Sequence, residues 1–298
     1  MKGPLVECIP NFSEGRRTEV IEAILDTLRG KEGIRLLDYS SDKDHNRTVV
    51  TLVGTPEGLL AHLPLFIGKA KELIDLRQHQ GQHPRMGAVD VLPFVPLRSI
   101  TMEETTELSK KVAQKLYEEL NIPIFLYEEA ASAPHRKNLA TLRKGQFEAM
   151  AVKIKEEGFI PDYGTQLHES FGIIAVGARP FLVAFNVNLA TDKLEIAESI
   201  AKNVRHISGG LRYVKGMGVA LEERGQVQVS MNLTDFTKTP IHRVFELIKI
   251  EAARYGVAVI GSEIIGLVPM AAMVDTAAWY LRTEDFKEEQ VLEAKLME

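Results

Sequence analysis

The chain has 298 residues, 45% hydrophobic and 26% charged, with a net charge of −5 at pH 7, and this length supports one large domain or two smaller ones. An acidic chain without a Lys/Arg-rich run is a poor candidate for nonspecific nucleic-acid binding, and no apolar run reaches the roughly 18 residues that a membrane span needs. The single cysteine, Cys8, excludes an intrachain disulfide, and the first residues lack the apolar core of a signal peptide, so we expect a cytoplasmic protein.

The first half of the chain predicts alternating strands and helices. Apolar residues at helical spacing mark the helices, and short apolar runs bounded by turn residues mark the strands. Pro56 begins one helix, and Thr101, followed by Glu103 and Glu104, has the pattern of an N-cap with acidic residues in the first turn. The predicted order is strand 4–11, helix 18–28, strand 34–39, strand 48–53, helix 56–74, strand 88–95, helix 101–120 and strand 122–127.

The second half repeats this order after a turn-like segment, Gly177-Ala-Arg-Pro180. It predicts strand 181–188, helix 192–205, a hairpin of 212–221 and 226–233, helix 240–255, strand 257–260, helix 270–281 and a charged helical tail at 284–298. Each half therefore has the order βαββαβ, which is typical of the ferredoxin-like unit. We predict an α+β protein with two ferredoxin-like α/β sandwich subdomains in tandem, 1–179 and 180–298.

The segment 75–90 begins at Asp75 and also concentrates two histidines, two arginines and a second aspartate: His79, His83, Arg77, Arg85 and Asp90. His83 precedes a proline, which favours an extended backbone at the entrance of a strand, and histidine is the side chain best suited to exchange protons near neutral pH. A catalytic His83, a metal ligand and a structural histidine are the alternatives at this point.

A metal site would use His79 and His83, whose spacing of four suits a zinc pair on one face of a helix. Gly81 and Pro84 disfavour a helix there, so we expect no metal. A metal-dependent hydrolase that uses both histidines and Asp90 is the corresponding alternative function.

Two further polar stretches are candidates for ligand binding. The loop between the predicted strands 34–39 and 48–53 is either a solvated hairpin loop or presents Asn46, Arg47 and Asp38 to a pocket, and arginine is the natural partner of a carboxylate. The stretch 162–172 combines glycines, hydroxyl groups and aromatic rings, which would suit a flat heterocyclic ligand.

Several of these segments together resemble the glutamate formimidoyltransferase family, the transferase part of formimidoyltransferase-cyclodeaminase. The resemblance follows the same order over nearly the whole chain. Its most specific motif is His83-Pro-Arg-Met-Gly-Ala-Val-Asp90. The other segments are Pro10-Asn-Phe-Ser-Glu-Gly15, Asn46-Arg-Thr48, Val176-Gly-Ala-Arg179, Phe185-Asn-Val-Asn188 and Gly261-Ser-Glu-Ile-Ile-Gly-Leu-Val-Pro269.

The resemblance implies a dimer of two-subdomain chains with a folate-binding tunnel between the subdomains. It also implies transfer of the formimidoyl group between N-formimidoyl-L-glutamate and tetrahydrofolate in histidine breakdown and one-carbon metabolism. The products are 5-formimidoyltetrahydrofolate and L-glutamate, and tetrahydrofolate is the co-substrate. Because the likeness is to the transferase part alone, a separate cyclodeaminase is expected as a partner. Formyl transfer, 5-formyltetrahydrofolate handling on the same scaffold and noncatalytic folate binding are the alternatives.

The resemblance also implies roles for particular residues. His83 matches the catalytic histidine, and either Asp38 or Asp90 is expected to orient its second ring nitrogen. Arg47 and Arg85 are the candidates for pairing with substrate carboxylates, and Asn46 is expected beside Arg47. The expected folate-binding residues are Gly164, Thr165, Gln166, His168, Ser170, Phe171 and Gly172.

Overall fold

The structure is a computed structural model that describes residues 3–297, except for the side chains of Glu223 and Met297. The chain divides into two compact units, Met1–Arg179 and Pro180–Glu298. Each unit contains its own β-sheet. The predicted α+β class is therefore confirmed. Among the described residues, none of the helices combines the length and the apolar character that a membrane crossing requires.

The first unit alternates strands and helices before it ends in a more irregular segment. A short 3₁₀ turn, Pro134–Arg136, follows its sixth strand. The elements are β1 (Leu5–Cys8), β2 (Asn11–Phe12), α1 (Thr18–Leu25), β3 (Ile34–Asp42), β4 (Arg47–Gly54), α2 (Pro56–Leu73), β5 (Val89–Arg98), α3 (Met102–Leu120), β6 (Ile124–Glu128), α4 (Leu139–Arg143), α5 (Gln146–Lys153) and β7 (Ile174–Ala178).

The sheet of the first unit has seven strands. β3 pairs with β4, and β1 and β2 lie end to end between β4 and β5. These pairings are antiparallel, whereas β7 and β6 extend the sheet beyond β5 in parallel. The sequence predicted one strand over 4–11. The structure interrupts it at Pro10, because proline has no backbone N–H to donate to a neighbouring strand.

Different helices pack against the two faces of this sheet. Ile124, Ile174 and Val176 belong to the main core with α1, α2 and α3, whereas the adjacent residues Phe125 and Ala175 belong to a second cluster with Leu142 and Met150. Since successive strand residues point to opposite faces, α4 and α5 cover the face opposite the main helices. The sequence prediction included neither of these helices nor strand β7.

The second unit follows the predicted order βαββαβ and ends in additional helices. Its sheet is antiparallel throughout and has the order β11-β8-β10-β9. Its core lies between the sheet and α6, α7 and part of α8. The elements are β8 (Val183–Leu189), α6 (Leu194–Val204), β9 (Val214–Leu221), β10 (Gln226–Leu233), α7 (Ile241–Ala253), β11 (Val259–Ile265), α8 (Met270–Leu281) and α9 (Leu292–Met297), with 3₁₀ turns at His206–Ser208, Glu222–Arg224 and Glu288–Gln290.

Two predicted boundaries in the second unit differ from the structure. The last strand was predicted over 257–260, but it continues to Ile265, and the residues after position 260 also pair with β8. The predicted helical tail 284–298 is a 3₁₀ turn followed by α9, and its last position lies outside the described residues. In the first unit, the predicted N-cap at Thr101 is confirmed, and Thr101 and Glu104 together form a capping box.

Candidate active site

The candidate site is built on the turn between β3 and β4 and on the segment that precedes β5. Asn46 lies in that turn with a φ of 49°, a left-handed conformation that asparagine tolerates better than most residues. Its side chain accepts a hydrogen bond from the backbone N–H of Gly15 (2.9 Å) and donates one to the carbonyl of Gln80 (2.9 Å). Asn46 therefore connects three segments that are distant in the sequence.

Main-chain contacts fix the segment 75–90, which we call the histidine segment, against the same turn. The N–H of Gln82 donates to the carbonyl of Asp44 (3.1 Å), and the N–H of His83 donates to the carbonyl of His45 (3.3 Å). A Cβ atom on Gly81 would lie 2.4 Å from that His45 carbonyl oxygen, so only glycine permits this close approach. His83 itself lies at a bend and not in a helix, as its position before proline indicated.

His83 is buried beside Asp90. Only 6% of His83 and 1% of Asp90 are exposed, and Nε2 of the imidazole lies 3.8 Å from Oδ2 of the carboxylate. This is an ion-pair distance and not a hydrogen bond, and the buried Nε2 has no hydrogen-bond partner. Burial lowers the pKa of His83 below the usual histidine value, Arg143 and Arg47 lower it further, and Asp90 opposes them. His83 is therefore neutral near pH 7, as a general base must be.

Asp90 is held by a residue that the sequence prediction did not include. The Arg143 guanidinium donates to Oδ2 of Asp90 through Nε (2.8 Å) and also through a terminal nitrogen, while the N–H of Met86 donates to Oδ1 (2.8 Å). Burial acts to raise the pKa of Asp90, but Arg143, His83 and the Met86 N–H outweigh it and lower the pKa. Arg143 lies 53 residues beyond Asp90, and no local pattern connects the two.

Arg47, the first residue of β4, brings a second cation to this cluster. Burial lowers its pKa and Arg143 lowers it further, whereas the nearby carboxylates of Asp42 and Asp90 oppose this shift. Its Nε is buried without a hydrogen-bond partner, and within residues 3–297 the guanidinium forms no ion pair at 4.0 Å or less. Asp90 already pairs with Arg143, and Asp42 lies 3.1 Å from Nδ1 of His45, so neither carboxylate forms a direct ion pair with Arg47. Such a site favours an anionic ligand.

Arg85 and His79 lie close to each other but face different partners. Arg85 forms a bidentate pair with Glu148, with distances of 2.6 and 3.0 Å, and its Nε donates to Nδ1 of His79 (3.2 Å). The Nε2 of His79 in turn lies 2.9 Å from the carbonyl of Asn46. Arginine only donates, so Nδ1 of His79 accepts and Nε2 donates. Both ring nitrogens of His79 are therefore committed to protein partners.

These contacts bear on several of the residues that the sequence suggested for the site. Arg85 already has a carboxylate partner in Glu148, which leaves Arg47 as the arginine available to a substrate anion. Asp38 lies on β3 opposite Thr51, and no hydrogen bond or ion pair links it to His83 in the described part of the chain. Likewise, no group of three or more His, Cys, Asp or Glu side chains within residues 3–297 is arranged to hold a metal ion.

The expected folate-binding stretch borders a cavity of about 510 Å³ in the first unit. This volume is within the range of small-molecule pockets. Neither His83 nor Asp90 is among its lining residues. Five of the seven expected folate-binding residues are in the wall, which consists of Arg77, Tyr117, Asn121, Pro123, Gly164, Thr165, Gln166, Leu167, His168, Glu169 and Ser170.

The two other expected folate-binding residues have structural roles. Phe171 is fully buried in the main core, so the structure gives it no surface for a ligand. Gly172 has a φ of 80°, and a Cβ atom there would lie 2.2 Å from the carbonyl oxygen of Met86. That same carbonyl accepts a hydrogen bond from the N–H of Ile173 (3.0 Å). Gly172 thus allows the stretch to close against the histidine segment.

Replacing Gly172 by alanine is expected to destabilise the first unit. The left-handed backbone costs about 1–2 kcal/mol for a residue with a Cβ, and the overlap with Met86 adds about 1–3 kcal/mol. Gly209→Ala is the matched control, because Gly209 has a similar φ of 97° with open space around it. Urea unfolding followed by circular dichroism should show a clearly larger loss for Gly172→Ala, and equal losses would contradict the close approach.

Known proteins match both units of the chain. The N-terminal subdomain model of the formiminotransferase domain matches residues 5–179, and the formiminotransferase domain model matches residues 184–296. The glutamate formimidoyltransferase of Streptococcus pyogenes serotype M1 is 52% identical over 98% of this chain and 99% of its own length. That of Thermoplasma acidophilum is 44% identical over 98% of this chain and 97% of its own.

A longer relative matches with part of its length. The formimidoyltransferase-cyclodeaminase of Rattus norvegicus is 44% identical over 94% of this chain, and the match covers 53% of that protein. This chain therefore spans about half of the rat protein. The resemblance found in the sequence motifs is confirmed by these matches. With models of the same domain matching both units and relatives of such identity over nearly its full length, this chain belongs to the formiminotransferase family.

Proposed function

We propose that this protein is a glutamate formimidoyltransferase, which moves the formimidoyl group between N-formimidoyl-L-glutamate and tetrahydrofolate. The names of its full-length relatives support this assignment. The observation that carries it is a buried histidine 3.8 Å from an ionised aspartate, beside an arginine that forms no direct ion pair within residues 3–297. This combination offers a proton acceptor and an anion-binding group, and both are required by a reaction between an amine and an amidine that carries carboxylates.

The reaction requires one proton to change places. N5 of tetrahydrofolate attacks the formimidoyl carbon and forms a C–N bond, which gives a tetrahedral intermediate. The bond from that carbon to the glutamate nitrogen then breaks, and the nitrogen leaves as an amine. In our proposal His83 accepts the proton that N5 loses and returns it to the leaving nitrogen. A positioned acid–base group of this kind contributes roughly 10²–10⁴ to the rate.

The environment of His83 suits both halves of this proton transfer. Burial keeps its imidazole neutral, and a neutral ring can accept a proton from N5. Once protonated, the ring carries a positive charge 3.8 Å from Asp90, which stabilises it. Nε2 faces Asp90, so we assign the exchange with the substrates to Nδ1. Asp90 is our choice over Asp38 as the acid that orients the ring, since only Asp90 contacts it.

Arg47 is our candidate for binding a carboxylate of formimidoylglutamate. Its guanidinium has no ion-pair partner among the described residues, and it lies close enough to Asp90 and Arg143 to interact with both. A carboxylate would match its planar donor geometry and would supply the direct ion-pair partner that Arg47 lacks among the described residues. The side chain of Asn46 is occupied by Gly15 and Gln80, so we propose that Asn46 holds the turn that presents Arg47.

For the folate, we propose contacts in the cavity that the 164–170 stretch borders. The main-chain and hydroxyl groups of Gly164, Thr165 and Ser170 offer hydrogen bonds, and Tyr117 offers an aromatic surface. We do not propose Phe171 or Gly172 as ligand contacts, because Phe171 is buried in the core and Gly172 packs against Met86.

Several broader properties belong to the same proposal. The strand order of the second unit, and that of β3, β4, β1/β2 and β5 in the first, supports two ferredoxin-like subdomains that correspond to residues 1–179 and 180–298. A homodimer, a cytoplasmic location, a role in histidine breakdown and one-carbon metabolism, and a separate cyclodeaminase as the next enzyme complete it.

The proposed function is tested by offering the two donors separately. Protein and tetrahydrofolate are mixed with formimidoylglutamate or with formylglutamate, and the absorbance of formimidoyl- and methenyl-folate is followed. We expect turnover with the formimidoyl donor and little with the formyl donor, whose carbonyl cannot form the same amidine. Faster turnover with formylglutamate would favour the formyl-transfer alternative. Folate binding without turnover of either donor would favour a binding protein.

A further inference from the structure

We propose that Arg143 is a positioning residue for the reaction, which holds Asp90 in place as an anion against His83. This inference rests on the proposed role of His83 but concerns a residue outside the histidine segment. The guanidinium contacts Oδ2 of Asp90 through two of its nitrogens, and the same oxygen is the one that faces His83. Arg143, Asp90 and His83 thus form a continuous chain of charged and polar groups.

The position of Arg143 is fixed by packing and by a buried lysine. Arg143 is the last residue of α4, and the preceding Leu142 is fully buried against the sheet. The Nζ of Lys153 donates to the carbonyls of Thr141 (2.5 Å), Leu142 (2.8 Å) and Lys144 (3.1 Å). These bonds satisfy carbonyls at the end of α4, so the arginine is presented by a rigid support.

Asp90 needs this arginine because of its surroundings. A fully buried carboxylate without a cationic partner is strongly disfavoured and tends to take up a proton. The Met86 N–H alone supplies one hydrogen bond. Arg143 supplies the compensating charge, and a protonated Asp90 would no longer stabilise the imidazolium of His83. Removal of Arg143 should therefore impair the His83–Asp90 pair even though Arg143 does not touch the substrates.

The direction of the effect follows from the charges that face His83. These are Asp90 from β5, Arg143 from the end of α4 and Arg47 from the start of β4. Without Arg143, a proton binds the His83–Asp90 pair more readily, whichever of the two groups receives it. The working state, with neutral His83 and ionised Asp90, is then lost at a higher pH. Without the Asp90 charge, both arginines oppose protonation, and His83 loses its proton at a lower pH.

The test measures the protonation of His83 by NMR in the ligand-free protein, with the resonance assigned through a His83→Gln variant. We expect Arg143→Gln to raise the midpoint by about one pH unit, Asp90→Asn to lower it, and Arg143→Lys to leave it near the wild-type value. Arg29→Gln is the control, because Arg29 pairs with Glu22 and Asp26 on the surface. An unchanged midpoint in Arg143→Gln would overturn the proposal.

Turnover supplies an independent measurement. Arg143→Gln and Asp90→Asn should each lower kcat about tenfold or more with little change in KM, and the double variant should be no worse than Asp90→Asn alone. Losses that multiply in the double variant would show a merely structural role. If Arg143→Gln fails to fold, two other variants test the positioning role of Arg143. One is Arg143→Lys, and the other is the double variant, which leaves neither charge of the Asp90–Arg143 pair buried alone. The NMR midpoints remain informative if formimidoyl transfer is not the reaction.

Discussion

His83→Gln should lower kcat by roughly 10²–10⁴ while leaving tetrahydrofolate binding nearly unchanged. Glutamine can form hydrogen bonds but cannot accept a proton from N5 or return it to the leaving nitrogen. The folate contacts proposed at Gly164, Thr165, Ser170 and Tyr117 do not depend on His83, so binding of that substrate should persist. Steady-state kinetics with formimidoylglutamate, together with folate binding measured by calorimetry, gives both quantities on the same preparation.

The control for His83 is a histidine in an ordinary setting. His206, an exposed residue of a 3₁₀ turn in the second unit, serves this purpose. His206→Gln should retain wild-type turnover. If His83→Gln also turned over at nearly the wild-type rate, another group would have to move the proton, and the mechanism proposed above would fail.

Arg47→Gln is expected to lower kcat/KM for formimidoylglutamate by roughly 30-fold or more, mainly through a higher KM. Loss of one partner of a desolvated charge pair costs about 2–5 kcal/mol. The KM for tetrahydrofolate should change much less if the arginine binds the glutamate part. Initial rates measured while each substrate is varied in turn separate these two effects.

The same substitution should leave the free energy of unfolding unchanged or raise it. In the free protein, Arg47 is a largely buried cation without an ion-pair partner in the described part of the chain, so its removal relieves a desolvation cost. Arg29→Gln, which removes a surface ion pair, should change neither the kinetics nor the stability by much. A large loss of stability in Arg47→Gln would indicate a structural role instead.

The local part of the site was predictable because its information is local. The proline after His83 excludes a helix, and Asp90 lies in the same segment, so the pairing of these two residues could be proposed from the sequence. The choice between Asp90 and Asp38 required coordinates, since the two candidates lie on different strands. The ion pair of Arg85 could not be predicted in this way, because its partner Glu148 is 63 residues away and no local sequence pattern connects the two.

The elements that were not predicted, β7, α4 and α5, also depend on contacts that are distant in the sequence. Strand β7 is a five-residue run whose partners, β5 and β6, precede it by long crossovers, so its pairing is not visible in local periodicity. Helices α4 and α5 are short, and they are held by Leu142 and Met150 packing on the sheet more than by their own helical tendency. Arg143 escaped prediction because it belongs to this part of the fold.

Asn46 shows how an irregular segment can be as well fixed as a strand. Its amide and carbonyl groups bind Gly15, Gln80 and His79, so the turn that carries Arg47 and the segment that carries His83 hold each other in place. Neither segment needs to order itself when substrates arrive, because the conformational entropy was already lost during folding. Such preorganisation leaves more of the binding free energy for stabilising the transition state.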